Sequence, residues 1–144
     1  MGIKKILGID FGLYKTGLAL GQTLTKTASP IGILKMRQGK IEAHAFKKIL
    51  QDWRPEAIVI GIPLKMDGSL FDLSAQAEAC AKWLETTTGL PVFRVDERLT
   101  TKAARTELTE LYRNAGTKSP PQNVDAYAAV LILESWLNDF DTIN

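Results

Sequence analysis

The apolar run Ala57–Ile62, which reads Ala-Ile-Val-Ile-Gly-Ile, constrains the fold more than any other segment of the chain. A strand that is apolar at every position is buried on both faces, and such strands are typical of parallel pairing. Because parallel strands need crossover connections, usually helices, we expect helices to alternate with strands around this run. The run therefore predicts an α/β fold with Ala57–Ile62 inside its sheet.

Other apolar patterns predict four further strands and four helices, and Pro30 indicates an edge strand or a bulge. The strands are expected at residues 5–10, 16–21, 27–34 and 92–95. The helices are expected at residues 40–53, 70–88, 100–114 and 124–140. The loops are expected at residues 63–69 and 115–122.

The order of these elements predicts the architecture. Three strands come first, and a helix, a strand, a helix, a strand and two helices follow. Hairpins followed by crossover units imply a mixed five-stranded sheet, with three antiparallel and two parallel strands, flanked by helices. This is the outline of an RNase H-like fold, and the 144 residues suffice for one domain over 1–144.

The composition is that of a soluble globular protein, with 45% hydrophobic and 24% charged residues. The net charge of +2 permits a nucleic-acid partner without requiring one, so any basic surface must be local. Cys80 is the only cysteine, which excludes an internal disulfide and fits a reducing cytosol. No apolar stretch approaches the roughly 20 residues that span a bilayer. We therefore expect a cytoplasmic protein without a membrane segment.

The helical patterns also predict where several distinctive side chains lie. Trp53, Trp83 and Trp136 are on amphipathic helices and are expected in the core. Cys80 is expected to be a small buried apolar residue. His44 is expected at the surface of a helix, and its spacing offers no second metal ligand.

Three carboxylates stand where predicted strands end or a predicted helix begins. Asp10 closes the first strand, and it either caps a turn or binds a ligand. Glu97 follows the fifth strand, at the carboxyl end where parallel sheets bind ligands; the alternative is a solvated charge before a capped helix. Asp125 begins the last helix, where it either interacts with the helix dipole or binds a ligand.

Considered together, the three carboxylates suggest a metal site. The predicted topology places Glu97 after the strand next to that of Asp10, and it brings Asp125 to the same edge of the sheet. Clustered carboxylates repel one another unless a cation lies between them. Hard oxygen ligands without cysteine point to Mg²⁺ or Mn²⁺, and two such ions can hydrolyse a phosphodiester.

Four sequence blocks in a fixed order resemble the YqgF family, a group of pre-16S ribosomal RNA nucleases and RuvC-like Holliday junction resolvases. The blocks span nearly the whole chain. They are Gly8-Ile9-Asp10-Phe11-Gly12 with Gly17, Gly61-Ile62-Pro63-Leu64 with Asp67-Gly68, Asp96-Glu97-Arg98-Leu99-Thr100-Thr101, and Asn123-Val124-Asp125-Ala126 with Ala128-Ala129.

The resemblance implies an RNase H-like fold and a divalent-metal nuclease that acts on structured nucleic acid. It implies maturation of the 5′ end of small-subunit ribosomal RNA, with Asp10, Glu97 and Asp125 as catalytic metal ligands. The acid that RuvC carries on its fourth strand is absent here, where Gly61 and Ile62 stand. The resemblance implies that the acid after the fifth strand, Glu97, takes its place.

The chain departs from the family pattern after Gly12. The family usually has a small polar residue and then a Lys-Arg pair, whereas this chain has Leu13, Tyr14 and Lys15. One positive charge near the expected metal site is therefore lost, which affects substrate affinity or choice. Candidate phosphate-binding residues are basic side chains expected near the same edge, namely Lys15, Lys65, Arg98, Lys102, Arg105 and Lys118.

Other functions remain open at the level of sequence. The expected partner is precursor ribosomal RNA or branched DNA, and the chain is either a monomer or a homodimer. A Holliday junction resolvase and a non-catalytic ribosome-assembly factor are alternatives. The run Asp10-Phe11-Gly12 also resembles the phosphate loop of actin-like ATPases, which need two such domains, more than this chain provides.

Overall fold

The computed structural model describes the backbone of residues 4–97 and 124–143 and the side chains of residues 4–97 and 126–139. These residues form one mixed sheet and three helices. The strands are β1 (Lys5–Asp10), β2 (Lys15–Gln22), β3 (Thr27–Arg37), β4 (Lys40–Ile41), β5 (Ala57–Ile62) and β6 (Val92–Asp96). The helices are α1 (Ala43–Trp53), α2 (Asp72–Thr88) and α3 (Val124–Ile143).

The sheet confirms the predicted α/β topology, with strand order β4-β3-β2-β1-β5-β6. Strand β1 pairs antiparallel with β2 and parallel with β5, and β5 pairs parallel with β6. The register aligns Asp10 with Gly17 on one side and with Gly61 on the other, and Gly61 aligns with Val95. Asp10 therefore lies in mid-sheet, at the carboxyl ends of the parallel strands.

The prediction of five strands and of a helix beginning at residue 40 was wrong. Lys40 and Ile41 form β4, which pairs with the end of β3. Gln38 and Gly39 connect the two strands with φ angles of 50° and 85°, the conformation of a tight two-residue hairpin turn. Helix α1 begins at Ala43, because the Glu42 carboxylate accepts hydrogen bonds from the amides of the first turn.

Several other boundaries differ by a few residues. Strands β2, β3 and β6 and helix α3 extend beyond their predicted ends, and α2 begins at Asp72 instead of residue 70. The bulge expected at Pro30 is present, since the β2–β3 register moves from Leu18–Gly32 to Ala19–Pro30. The predicted helix 100–114 and loop 115–122 lie outside the described residues.

Two apolar clusters cover opposite faces of the sheet. One packs α1 and α2 against the sheet, with Phe46, Ala77 and Leu84 among its buried members. The other packs α3 against the opposite face, and Ile132 and Leu133 are fully buried there. Alternation along each strand therefore sends successive side chains to the α1/α2 face and to the α3 face.

Helix α3 lies unusually close to the sheet because glycines line the strands beneath it. A Cβ added at Gly8 would stand 2.8 Å from Leu133 Cβ, and one at Gly21 would stand 2.7 Å from Leu133 Cδ2. A Cβ added at Gly61 would stand 2.7 Å from Ile132 Cδ1. No side chain fits between the helix and these three positions, so the glycines set the depth at which α3 packs.

The tryptophan predictions had mixed outcomes. Trp83 packs edge-on against Phe46, with ring centroids 6.2 Å apart, and Trp136 packs against Phe93 at 5.0 Å. Trp53 is the last residue of α1 and is 38% exposed, so its placement in the core was wrong.

Cys80 is buried, which raises the pKa of its thiol to about 12.

His44 is exposed as expected. None of the helices among the described residues is long and apolar enough to cross a membrane.

The glycine-lined contact predicts the effect of a single methyl group. Gly8→Ala should lower the free energy of unfolding by about 1–3 kcal/mol, because the new Cβ meets the Cβ of Leu133 and the backbone oxygen of Ala129. Gly21→Ala is the matched control and should cost less, since its methyl meets outer side-chain atoms of Leu133 and Leu137 and no backbone atom or Cβ. Urea unfolding of both variants measures this, and equal losses would contradict the close approach at Gly8.

Candidate active site

Asp10 is the last residue of β1, and its side chain lies on the α3 face of the sheet. Ile6 packs in the α3 cluster and Gly8 contacts Leu133, so alternation along β1 sends the Asp10 side chain to the same face. Asp10 is only 4% exposed. A carboxylate this buried needs compensation by hydrogen bonds or a cation.

Glu97 follows β6 and lies on the same face as Asp10. Val95 packs against the α3 cluster, so Asp96 points to the opposite face and Glu97 returns to the α3 face. Glu97 is 8% exposed, and its Cγ stands 3.6 Å from the position that a Cβ on Gly61 would occupy. The geometry therefore places Glu97, and not Asp96, on the same face of the sheet as Asp10.

Gly61 leaves open space on the sheet between the strand of Asp10 and the strand of Glu97. It lies in β5, between β1 and β6, and it is aligned with Asp10. The expectation that Glu97 follows the strand adjacent to that of Asp10 was wrong, because β5 separates them. Two strand spacings amount to about 10 Å, and the missing side chain at Gly61 gives the Glu97 Cγ room to lie close to β5. A glycine inside an otherwise apolar strand was the sequence signal for such a close approach.

Helix α3 runs antiparallel to β1, which brings its first turn to the Asp10 end of the sheet. Gly21, at the far end, lies against Leu137, and Gly8, nearer to Asp10, lies against Ala129. Earlier residues of the helix therefore lie progressively closer to the carboxyl end of β1.

The same spacing locates the backbone of Asp125. Asp10 lies two residues beyond Gly8, or about 7 Å along the strand. Asp125 lies four residues before Ala129, or about 6 Å along the helix. The side chain of Asp125 is outside the described residues, so its participation stays a prediction. Among the side chains that are described, no three potential metal ligands form a group.

The loop after Asp10 is held by a buried hydroxyl that sequence reasoning missed. Thr16 is fully buried, and its Oγ1 accepts a hydrogen bond from the Gly12 amide at 3.1 Å. The same hydroxyl lies 3.4 Å from the Gly12 carbonyl oxygen, to which it donates. A Cβ at Gly12 would stand 2.1 Å from the Lys15 carbonyl oxygen, so only glycine fits this turn.

The residues that depart from the family pattern have distinct environments. Leu13 is partly buried against the cluster beneath α1 and α2, so it contributes to packing. Tyr14 is 68% exposed, and Lys15 is also exposed. Where the family has polar residues, this chain therefore has a leucine that packs against the core and a tyrosine with an exposed ring, both just before Lys15.

A second loop leaves the same edge of the sheet after β5. The Lys65 amide donates to the Ser69 carbonyl oxygen at 3.0 Å, and the Asp67 carboxylate accepts from the Ser69 amide at 2.9 Å. Ser74 of α2 donates to the Pro63 carbonyl oxygen and accepts from the Phe71 amide. These bonds order the loop and leave the Lys65 side chain exposed.

An ion network fixes the strand that leads to Glu97. Arg94 of β6 donates to Glu78 of α2 through Nε at 3.1 Å and through Nη2 at 2.8 Å. Its Nη2 also contacts Glu85 at 2.9 Å, and this hydrogen bond lowers the pKa of Glu85. The paired guanidinium ties β6 to α2.

The predicted phosphate-binding residues are only partly within the described chain. Lys15 and Lys65 are exposed and lie at the Asp10 end of the sheet. Lys15 begins β2, and Lys65 is in the loop that follows β5. The other four candidates, Arg98, Lys102, Arg105 and Lys118, lie outside the described residues.

Comparison with known sequences gives consistent matches over nearly the whole chain. The sequence model of the RuvX family, described as Holliday junction resolvase, matches residues 4–139. A Coxiella burnetii protein is 43% identical over 133 residues, which are 92% of either chain. A Pseudomonas aeruginosa protein is 40% identical over 135 residues, 94% of this chain and 92% of its own. Both carry the name "Putative pre-16S rRNA nuclease".

Solved structures support the RNase H-like fold. Thermus thermophilus RuvC in complex with Holliday junction substrate has a TM-score of 0.56 and 17% identity, covering 96% of this chain and 97% of its own. The fowlpox virus Holliday junction resolvase has a TM-score of 0.54 and 14% identity, covering 94% and 99%. At these identities the likeness concerns the fold.

The Thr16 hydroxyl predicts a local effect on the loop after Asp10. Thr16→Val keeps the side-chain shape but leaves the Gly12 amide without its acceptor, so the free energy of unfolding should fall by about 1–3 kcal/mol. Hydrogen exchange at Gly12 should accelerate in this variant. Thr16→Ser, which keeps the hydroxyl, should retain the protection. Equal exchange rates in the two variants would refute this role.

Proposed function

Because the chain belongs to the RuvX family, the YqgF family that its sequence blocks resemble, we propose that it is a divalent-metal-dependent endonuclease for structured nucleic acid. As a member of that family it is a hydrolase acting on phosphodiester bonds. Family membership also favours nuclease chemistry over the phosphate loop of an actin-like ATPase.

The observation that supports a metal site is the pair of buried carboxylates that share one face of the sheet, on strands that flank the strand of Gly61. Asp10 and Glu97 are 4% and 8% exposed, and both lie on the α3 face. Two like charges in a poorly hydrated place raise each other's free energy unless a cation neutralises them. Oxygen donors of this kind suit Mg²⁺ or Mn²⁺.

In this proposal Asp10 and Glu97 hold the cations from the sheet, and Asp125 completes the site from the first turn of α3. Bound divalent ions supply an activated water and stabilise the leaving oxygen. The burial of both carboxylates limits their hydration and strengthens their hold on cations. The Thr16 hydrogen bonds keep the loop after Asp10 in place.

Precursor ribosomal RNA is the proposed substrate, cleaved at the 5′ end of the small-subunit sequence. The names of the Coxiella and Pseudomonas relatives support this choice. The description of the RuvX family supports branched DNA as the alternative. We assign phosphate binding to the exposed Lys15 and Lys65, and to Arg98, Lys102, Arg105 and Lys118, and we place the reaction in the cytoplasm.

Substitution of the carboxylates tests the proposal. Asp10→Asn and Glu97→Gln should each lower the cleavage rate by about 100-fold or more, the scale of removing one group from a preorganised electrostatic site. Asp96→Asn is the matched control and should keep the wild-type rate, because Asp96 faces away from Asp10. The assay uses a precursor RNA with its 5′ leader and a four-way DNA junction, each with Mg²⁺ and with Mn²⁺.

Each outcome has a distinct meaning. Equal rates for the wild type and Asp10→Asn would remove the proposed site. Loss of activity in Asp96→Asn but not in Glu97→Gln would move the second ligand to Asp96. Binding without cleavage by the wild type in both metals would make the chain a non-catalytic assembly factor.

A further inference from the structure

Exposed cations stand directly opposite one another at the Asp10 end of the antiparallel strands. The β2–β3 register aligns Lys15 with Lys35, and the β3–β4 register aligns Arg37 with Lys40. All four side chains are exposed. Sequence reasoning selected only Lys15, because Lys40 was expected in a helix.

These four side chains lie on the same face of the sheet as Asp10. Leu34 and Met36 are buried in the cluster beneath α1 and α2, so the residues that alternate with them, Lys35 and Arg37, point to the α3 face. Directly opposed residues of antiparallel strands share a face, which places Lys15 and Lys40 there as well.

The pairs do not stabilise the fold. Like charges directly opposite each other on neighbouring strands are unfavourable. Among residues 4–97 and 126–139, no ion pair joins a carboxylate to any of the four. Glu42, the next acid after Lys40, directs its carboxylate to the amides of His44 and Ala45 at 3.2 and 2.7 Å.

The hairpin that carries Arg37 and Lys40 packs against the loop that follows Asp10. The Gly39 amide donates to the Leu13 carbonyl oxygen at 2.8 Å, and a Cβ on Gly39 would lie 3.2 Å from Phe11 Cζ. The cations therefore continue sideways from the carboxylates, over three strand spacings or about 14 Å. A nucleic-acid strand carries one phosphate per roughly 3.4 Å of duplex axis, so several phosphates would face this surface.

We propose that Lys15, Lys35, Arg37 and Lys40 form a basic track that binds the phosphodiester backbone of the substrate beside the cleavage site. The track rests on the proposed nuclease function and extends it to one flank of the scissile phosphate. Its contacts are electrostatic and independent of base sequence. RNA and DNA backbones offer the same chemistry, so both are tested.

The test measures binding in buffer with EDTA, so that no cleavage interferes. The variant Lys35→Gln/Arg37→Gln/Lys40→Gln is compared with Lys4→Gln/Lys47→Gln/Lys82→Gln, which removes three exposed charges from other surfaces. Fluorescence anisotropy with a leader-containing RNA duplex and with a four-way DNA junction is recorded over a series of KCl concentrations. Thermal unfolding verifies that both variants are folded.

The track variant should bind about tenfold more weakly at low salt, and the slope of log K against log salt should fall by roughly 2 to 3. The control variant should keep the wild-type slope. An unchanged slope in the track variant, or an equal fall in the control, would overturn the proposal. If the track variant binds only the RNA or only the DNA more weakly than the wild type does, that nucleic acid is the one whose backbone the track binds.

A competition experiment tests the class of partner. Polyglutamate should displace the labelled RNA only at a much higher concentration of negative charges than unlabelled RNA needs. Displacement at equal concentrations of charge would overturn the proposal that the partner is a nucleic acid. The binding result is independent of the cleavage result. Suppose that Asp10→Asn cleaved like the wild type while the track variant showed the reduced slope of log K against log salt. The proposed nuclease site would then be wrong, and the proposed basic track would be supported.

Discussion

The close packing of α3 on a glycine-lined sheet is the constraint on which the rest of the structure depends. Without side chains at Gly8, Gly21 and Gly61, the helix settles onto the strands with Leu133 and Ile132 in direct contact with the backbone surface. Interiors are close-packed, so this contact fixes the helix in depth and along its axis. The helix thereby covers the ends of the parallel strands, and its first turn is brought to the level of Asp10.

The candidate site follows from that packing. Strand β5 separates β1 from β6, and Gly61 within it leaves room for the Glu97 side chain on the face that carries Asp10. Two buried carboxylates on one face repel each other, which favours the binding of a cation there. Beside them, the basic track continues over β2, β3 and β4. We therefore propose that the sheet presents a negative centre for metal ions and a positive flank for phosphates.

Much of the fold was predictable, because apolar periodicity reports burial directly. The strand Lys5–Asp10 and the parallel strand Ala57–Ile62 were predicted with their observed bounds. The hairpin of β3 and β4 was not predicted, since Ile41 fits a helical face as well as a strand and only the turn conformation distinguishes the two. The order of the strands in the sheet could not be predicted from the sequence either, because packing decides which strands pair. The position of β5 between the strands of Asp10 and Glu97 was therefore known only from the structure.

A crystal structure with Mn²⁺ tests the central claim most directly, because anomalous scattering locates the ion without reference to activity. The account predicts a Mn²⁺ peak at about 2.0 to 2.3 Å from carboxylate oxygens of Asp10 and Glu97, with Asp125 completing the site. The peak should disappear in Asp10→Asn and persist in Asp96→Asn. Absence of the metal from these carboxylates at saturating Mn²⁺, or a peak bound by Asp96 instead, would contradict the account.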